Sequence, residues 1–223
     1  MTTGVDIDSS AEELDGAPAS QIIAWAVSAL GDSVALACSF QDCVVVDLAV
    51  KVAPRIPVVF LDTGFHFPET LDYVEQVRSL YDLNLVVARP DVDDATWPCG
   101  SERCCEVRKV EPLRRALSHK AGWITGVKRV DNAHRKHTPV VAWDAGLGLV
   151  KVNPMAAWTD EDVATYVADH GLPVHPLVGQ GYLSIGCAPT TEPVVPGEHP
   201  RAGRWRDSDK TECGLHLPGA SRD

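Results

Sequence analysis

No apolar run in the chain approaches the roughly 20 residues that a membrane span requires. Cations are scarce: 20 Lys and Arg face 31 Asp and Glu, for a formal net charge of −11 over 223 residues. Neutralising the phosphates of a nucleic acid needs clustered cations, so a nucleic-acid-coating role is excluded, whereas a local basic patch for one small anion is not. Neither GxGxxG nor GxxxxGK[ST] occurs, which removes the dinucleotide fingerprint and the Walker loop. The opening stretch, MTTGVDIDSSAEELDG, lacks the basic and apolar regions of a signal peptide, and the chain reads as cytoplasmic. In that reducing setting its seven cysteines are not expected to form a disulfide framework; metal ligation, redox catalysis or plain burial remain.

The length suits one domain with an appended segment at roughly 150 residues per domain, and 45% hydrophobic with 23% charged residues is a globular composition. Residues 1–18 read as a flexible acidic leader, 19–171 as an α/β domain and 172–223 as a C-terminal segment. In the second region, apolar runs at 34–38, 57–61, 83–88 and 123–125 alternate with helical patterns at 21–30, 43–53 and 68–81. Continuous apolar runs of strand length point to a mostly parallel sheet flanked by helices on both faces. Residues 139–143 and 149–152 read as an antiparallel extension. TDEDVATYVADH (159–170) reads as a helix with Thr159 as N-cap and Asp162 three residues on. Beyond Gly171, Gly, Pro and polar residues dominate, and a mobile tail whose loops carry function is expected.

In a parallel α/β sheet, ligands bind beyond the carboxyl ends of the strands, where backbone NH groups receive anions. Three strand-end loops have suitable chemistry: Ser39-Phe-Gln-Asp42, Asp62-Thr-Gly64 and Gly126-Val-Lys-Arg129. The adjacent Cys104 and Cys105 suit a soft metal centre of the kind thiolates hold, with Arg108 and Lys109 about one helical turn further on. The alternative is two buried small apolar residues. Near the end of the chain Cys213 lies beside a glycine with Lys210 and His216 close by, surroundings that favour a reactive thiolate, although Glu212 acts the other way.

The segments CCEVRKVEPL, LDTGFHFPET, ITGVKR, SIGC, HPRAGRW and KTECGLH, spread from about residue 33 to residue 216, together resemble the assimilatory adenylyl-sulfate (APS) and phosphoadenylyl-sulfate (PAPS) reductases. The resemblance implies an adenine-nucleotide α-hydrolase-like fold with residues 19–171 as its nucleotide-binding domain. It also implies reduction of APS to sulfite and AMP, in sulfate assimilation and cysteine biosynthesis, through a cysteine S-sulfonate resolved by thioredoxin or a similar dithiol protein. By this resemblance Cys213 is the nucleophile. Lys109, Arg129, Arg201 and Arg204 hold the phosphate–sulfate, and Ser39 and Thr63 line the nucleotide loops. Cys104, Cys105 and Cys187 match three ligands of a [4Fe-4S] cluster, the mark of the APS-using branch. The fourth ligand should complete C-x-x-C from Cys187, yet the segment reads Cys187-Ala-Pro-Thr190, which leaves Cys99 as a substitute to consider. A cluster-free PAPS reductase is the alternative that Thr190 favours. An iron–sulfur or zinc-binding sensor module would leave ECGLH without a purpose. An ATP-pyrophosphatase on the same fold would need a glycine-rich SGGxDS-type loop, which Ser39-Phe-Gln-Asp42 is not.

Overall fold

The computed structural model describes residues 4–92, 97–213 and 215–216, with the side chain of residue 102 left aside. Six strands form one sheet: β1 (Val34–Ala37), β2 (Val58–Leu61), β3 (Leu85–Ala88), β4 (Gly122–Thr125), β5 (Val141–Asp144) and β6 (Leu149–Val152). Their order is β3-β2-β1-β4-β6-β5. Pairs β1–β2, β2–β3, β1–β4 and β4–β6 are parallel. Only β5 runs antiparallel, against β6. The expected extension is thus half right in direction, because β6 continues the parallel sheet and β5 alone folds back.

Alternation along the strands divides the core in two. Val34, Leu36, Val58, Phe60, Ile124, Val150 and Val152 face one layer, with buried residues of helices α2 (Ala19–Leu30), α3 (Val44–Val52) and α4 (Pro68–Tyr81). Ala35, Val59, Ala88, Trp123 and Leu149 face the other, against Leu113 and Leu117 in and just after α6 (Glu111–Ala116). Burial of both faces is what permits strands that read as unbroken apolar runs. Helix α7 (Asp160–Asp169) opens with a reciprocal capping box: Thr159 Oγ1 accepts from Asp162 N at 3.1 Å and Asp162 Oδ2 accepts from Thr159 N at 2.7 Å.

Within the segment read as a flexible leader, Ile7–Leu14 form helix α1, capped by the Asp6 carboxylate accepting from Ser9 N, with Leu14 buried in the larger core. Leu14 supplies the apolar anchor that a solvated leader would not have. Residues 1–3 and 217–223 of the two terminal segments lie outside the described residues. The described part of the C-terminal segment contains 3₁₀ turns at Pro176–Gln180 and Ala188–Thr190, and an isolated bridge between Thr191 and Arg204. This segment packs back over the carboxyl ends of the strands. A buried His175 begins it, its Nδ1 accepting from Leu177 N at 3.2 Å and its Nε2 lying 3.0 Å from Thr70 Oγ1.

Candidate active site

Strands β1 and β4 are neighbours whose following loops diverge, and this opens a crevice at the carboxyl end of the sheet. The cavity there, about 220 Å³, is walled on one side by Ser39, Gln41, Asp42, Thr63 and Lys128, and on the other by Cys187, Arg201, Arg204, Cys213 and His216. The β1 loop turns at Phe40, a non-glycine residue with φ of +55°, whose fully buried ring packs edge-on to Phe60 at 5.5 Å. Such a backbone costs about 1–3 kcal/mol, which the buried ring offsets. Ser39 is left exposed on the cavity wall. Gln41 Oε1 then accepts from Ile185 N at 3.0 Å, tying this loop to the SIGC segment across 144 positions of sequence.

Thr63 is buried. Its hydroxyl accepts from Phe65 N at 3.2 Å and lies 3.5 Å from Cys187 Sγ, while its carbonyl accepts from Arg108 Nη1 at 2.9 Å. Arg108, fully buried, also stacks over the Phe65 ring at 4.5 Å, so it braces the β2 loop. Arg108 and Lys109 lie in a π-helical turn, Glu106–Val110, between α5 (Glu102–Cys105) and α6. Pro112 accounts for the widening: it has no N–H for the Arg108 carbonyl, and its ring would press on that carbonyl in an α-helix. Lys109 lines the cavity; burial works against its charge, but Cys187 and Cys213 raise its pKa above the usual lysine value.

Among the expected anion-holding cations, Lys109, Arg201 and Arg204 share the cavity and Arg129 does not line it. Arg129 donates to Asp15 Oδ1 at 2.7 Å and to the Thr138 carbonyl at 2.9 Å, so its charge is spent on the α1 end. Its neighbour Lys128 faces the cavity instead, held by Asp131 and Asp160. Arg204 lies flat on the SIGC backbone: a Cβ on Gly186 would sit 2.2 Å from its Nη2. Its Cζ is 4.5 Å from the centre of the Trp205 ring, and its Nε is buried with no hydrogen-bond partner among the described residues. His66 Nδ1 and Trp123 Nε1, also on cavity-lining residues, are likewise unpaired. Burial, and then neighbouring Arg201, work against the Arg204 charge. A bound anion would offset both and satisfy an orphaned donor.

The thiol of Cys213 is half-buried on the cavity wall. Lys109, Lys151 and Arg204 lie within electrostatic reach of it. The two cations expected from sequence act elsewhere. Lys210 donates to the Gly100 carbonyl at 2.9 Å and to Cys105 Sγ at 3.2 Å. His216 stacks on Trp123 and accepts from Lys151 at 3.1 Å; removal from water, and then Lys151 and Arg135, hold it well below the usual histidine range, so it is neutral. Glu212 is the acceptor of a buried clasp. It is buried against Arg135, with Nη2–Oε2 at 2.7 Å and Nε–Oε2 at 2.8 Å. Asn132 Nδ2 adds a bond at 3.0 Å, and Cys213 N donates to the other carboxylate oxygen at 3.0 Å. This clasp seats the tail.

Cys99, Cys104, Cys105 and Cys187, the thiols considered for a cluster, are all free, and Cys187 lines the cavity. Cys104 and Cys105 are buried on α5, and Cys187 is buried on the SIGC loop, whose next residue, Ala188, donates to the Phe65 carbonyl at 2.7 Å. Cys99 lies within electrostatic reach of Cys187 and Cys104. Neighbouring Cys99 lowers the Cys187 pKa to about 4 against the effect of burial, with Lys109 and Thr63 adding to the fall. Among the described residues, no three His, Cys, Asp or Glu are gathered as for a single metal ion. The donor chemistry itself, an all-cysteine set on separate chain segments, fits an iron–sulfur cluster.

Arg135 is a site residue that sequence reasoning did not single out. Gln41, Lys128 and Gly186 lay within segments it marked without being given a role, and Glu212 was noted only for its place beside Cys213.

A doubly wound sheet with a thiol and three cations converging at its switch point defines an α/β protein of the nucleotide-binding type, equipped for anion binding. Comparison makes this specific. Residues 33–193 match the phosphoadenosine phosphosulfate reductase domain, and the chain belongs to that family. It is 43% identical over 216 residues to adenosine 5'-phosphosulfate reductase of Mycolicibacterium smegmatis, covering 93% of this chain and 92% of that protein. It is 44% identical over 213 residues to the Streptomyces coelicolor protein of the same name, covering 92% and 90%. Among solved structures, phosphoadenylyl-sulfate reductase from Candida auris, a phosphate complex, superimposes with a TM-score of 0.73 at 26% identity, over 83% of this chain and 96% of that one. Yeast FAD synthetase, at a TM-score of 0.59 and 16% identity over 86% and 70%, shares the fold alone.

Proposed function

We propose that the protein is an oxidoreductase of sulfate assimilation that reduces adenosine 5'-phosphosulfate to sulfite and AMP. The observation that carries this reading is the meeting of Cys213 with Lys109, Arg201 and Arg204 in one cavity at the strand ends. The names of the relatives favour APS over PAPS as substrate.

The nucleotide lies over the β1 and β2 loops, with Ser39 and Thr63 near it and the phosphate–sulfate facing the three cations. The Cys213 thiolate attacks the sulfonyl sulfur, forming an S–S bond as the S–O bond to AMP breaks; AMP departs with that electron pair. The cations offset the charge on the leaving phosphate oxygen. A dithiol protein of the thioredoxin type, in the cytoplasm, then attacks Cys213 Sγ. Sulfite leaves with the S–S bonding pair, and the partner's second thiol resolves the mixed disulfide, returning Cys213 as thiolate and oxidising the partner by two electrons. For the partner to reach the thiol, the tail must swing away from the cavity.

Cys104, Cys105 and Cys187 would hold a [4Fe-4S] cluster. When bound, such a cluster would tie α5 to the SIGC loop and would shape the electrostatic surroundings of Lys109.

The test is Cys213→Ser. Sulfite release should be abolished while APS binding survives, and wild-type protein given APS without reductant should carry an S-sulfonate on Cys213 by mass spectrometry. Turnover above a few per cent in the variant would refute the assignment. A higher kcat/KM for PAPS than for APS would overturn the choice of substrate in favour of a PAPS reductase.

A further inference from the structure

We infer that Cys99 supplies the fourth thiol ligand of the cluster, in place of the one that Thr190 cannot provide; this rests on the cluster reading above. The two positions are 91 residues apart in sequence, yet the Cys99 sulfur lies 3.9 Å from Thr190 Oγ1. Cys187, a proposed ligand, is also among the groups within electrostatic reach of Cys99. The Cys99 thiol therefore stands beside the missing ligand's position rather than in a remote loop.

The chain is built to bring it there. Residues 98–101 form a tight turn in which Ser101 N and Oγ both donate to the Pro98 carbonyl, at 3.3 and 3.0 Å. Ser101 then starts α5: its Oγ accepts from Cys104 N at 3.2 Å and its carbonyl from Cys105 N at 3.2 Å. Cys99 is thereby held on the turn that leads into the cysteine pair, within electrostatic reach of Cys104. Gly100 takes a φ of +94°, which an L side chain rarely adopts, and a Cβ there would sit 3.0 Å from Thr190 Cγ2. Glycine lets the turn close onto Thr190. Lys210 fastens the turn from the tail by donating to the Gly100 carbonyl and to Cys105 Sγ. Trp205 N holds Thr190 through its carbonyl at 3.0 Å. A serine or threonine hydroxyl is a poor soft-metal donor, and a thiol against it is the available replacement.

The test compares anaerobically prepared wild type, Cys99→Ser, Cys104→Ser, Thr190→Cys and the Cys99→Ser/Thr190→Cys double variant. The readouts are iron and acid-labile sulfide per chain and Mössbauer spectra, with melting temperature and APS binding reporting the fold. Wild type should hold roughly four irons per chain. Cys99→Ser should lose iron about as Cys104→Ser does or pass to a three-iron form, and the double variant should regain wild-type content. A Cys99→Ser protein with wild-type iron content and spectrum would overturn the role of Cys99 while leaving the cluster standing. Wild type without iron or sulfide would overturn both the cluster and this inference, and would leave the S-sulfonate chemistry of Cys213 to its own test. If the single variant fails to fold, the double variant decides: iron loss in a folded double variant refutes replacement by position.

Discussion

Glu212→Gln should loosen the tail while leaving Lys109, Arg201 and Arg204 unsubstituted. The carboxylate holds Arg135 through two nitrogens, accepts from Asn132 and receives the Cys213 amide, all while buried. Removing one partner of a buried ion pair costs about 3–5 kcal/mol. Arg135 keeps Asp131 at 2.6 Å, and glutamine retains one acceptor oxygen, so the lower end, about 3 kcal/mol, is the relevant figure. At about 1.4 kcal/mol per tenfold, this shifts the seating equilibrium of the tail roughly 100-fold. Lys210 reports it, because its side chain is engaged by Gly100 and Cys105 only when the tail is seated. Tryptic cleavage after Lys210, measured by mass spectrometry under native conditions, should accelerate by about that factor. Sulfite release should fall, and melting temperature should change less than for a core substitution. Cleavage within twofold of wild type would refute the clasp. The same carboxyl, kept down to about 2 by Arg135 against the effect of burial, sets the pH window. Its closed-state pKa lies below the ordinary 4.5, so the clasp is at full strength above that value and is lost as pH falls from 4.5 toward 2.

Gly186→Ala and Gly203→Ala form a contrasting pair. At Gly186 the clash is with the mobile end of Arg204, so stability should hold while KM for APS rises about tenfold, in line with one charge-assisted contact. At Gly203 a Cβ would sit 2.0 Å from the Glu192 backbone oxygen, so about 3 kcal/mol of stability should be lost; equal melting temperatures for the two variants would contradict this. His175, whose pKa burial lowers from 6.5 to about 4, is neutral in the fold. The unfolded chain takes up that proton first, so stability should fall as pH drops from about 6.5 toward 4, and His175→Asn should flatten this slope in denaturant titrations at several pH values.

The sheet was legible because its strands read as apolar runs, with β1, β2 and β4 largely buried on both faces; the four runs at 34–38, 57–61, 83–88 and 123–125 fall within two residues of the observed strands. Helix α1 was not, since its one deep anchor, Leu14, is hidden in an acidic stretch. The cysteines, Lys109 and the tail arginines stood out by motif. What sequence could not convey was pairing over distance. Lys128 and Arg129 are adjacent cations at a strand end, and the location of Asp15, just past α1, decides which one is withdrawn from the cavity. The partners of Gln41, Glu212 and Cys99 lie 144, 77 and 91 residues away. Gly186 acts by lacking a side chain, which no residue pattern announces.

Arg201, Arg204 and Cys213 are carried on the same C-terminal strap, which also closes the cavity. Opening it far enough for a protein to reach the sulfonated thiol also withdraws two of the cations facing AMP. Departure of the first product and admission of the second reactant then become a single event, with no state in which nucleotide and protein partner share the site. Initial rates measured against both reactants should accordingly give parallel double-reciprocal lines, the ping-pong pattern, with AMP competing against the dithiol protein for the sulfonated form of the enzyme.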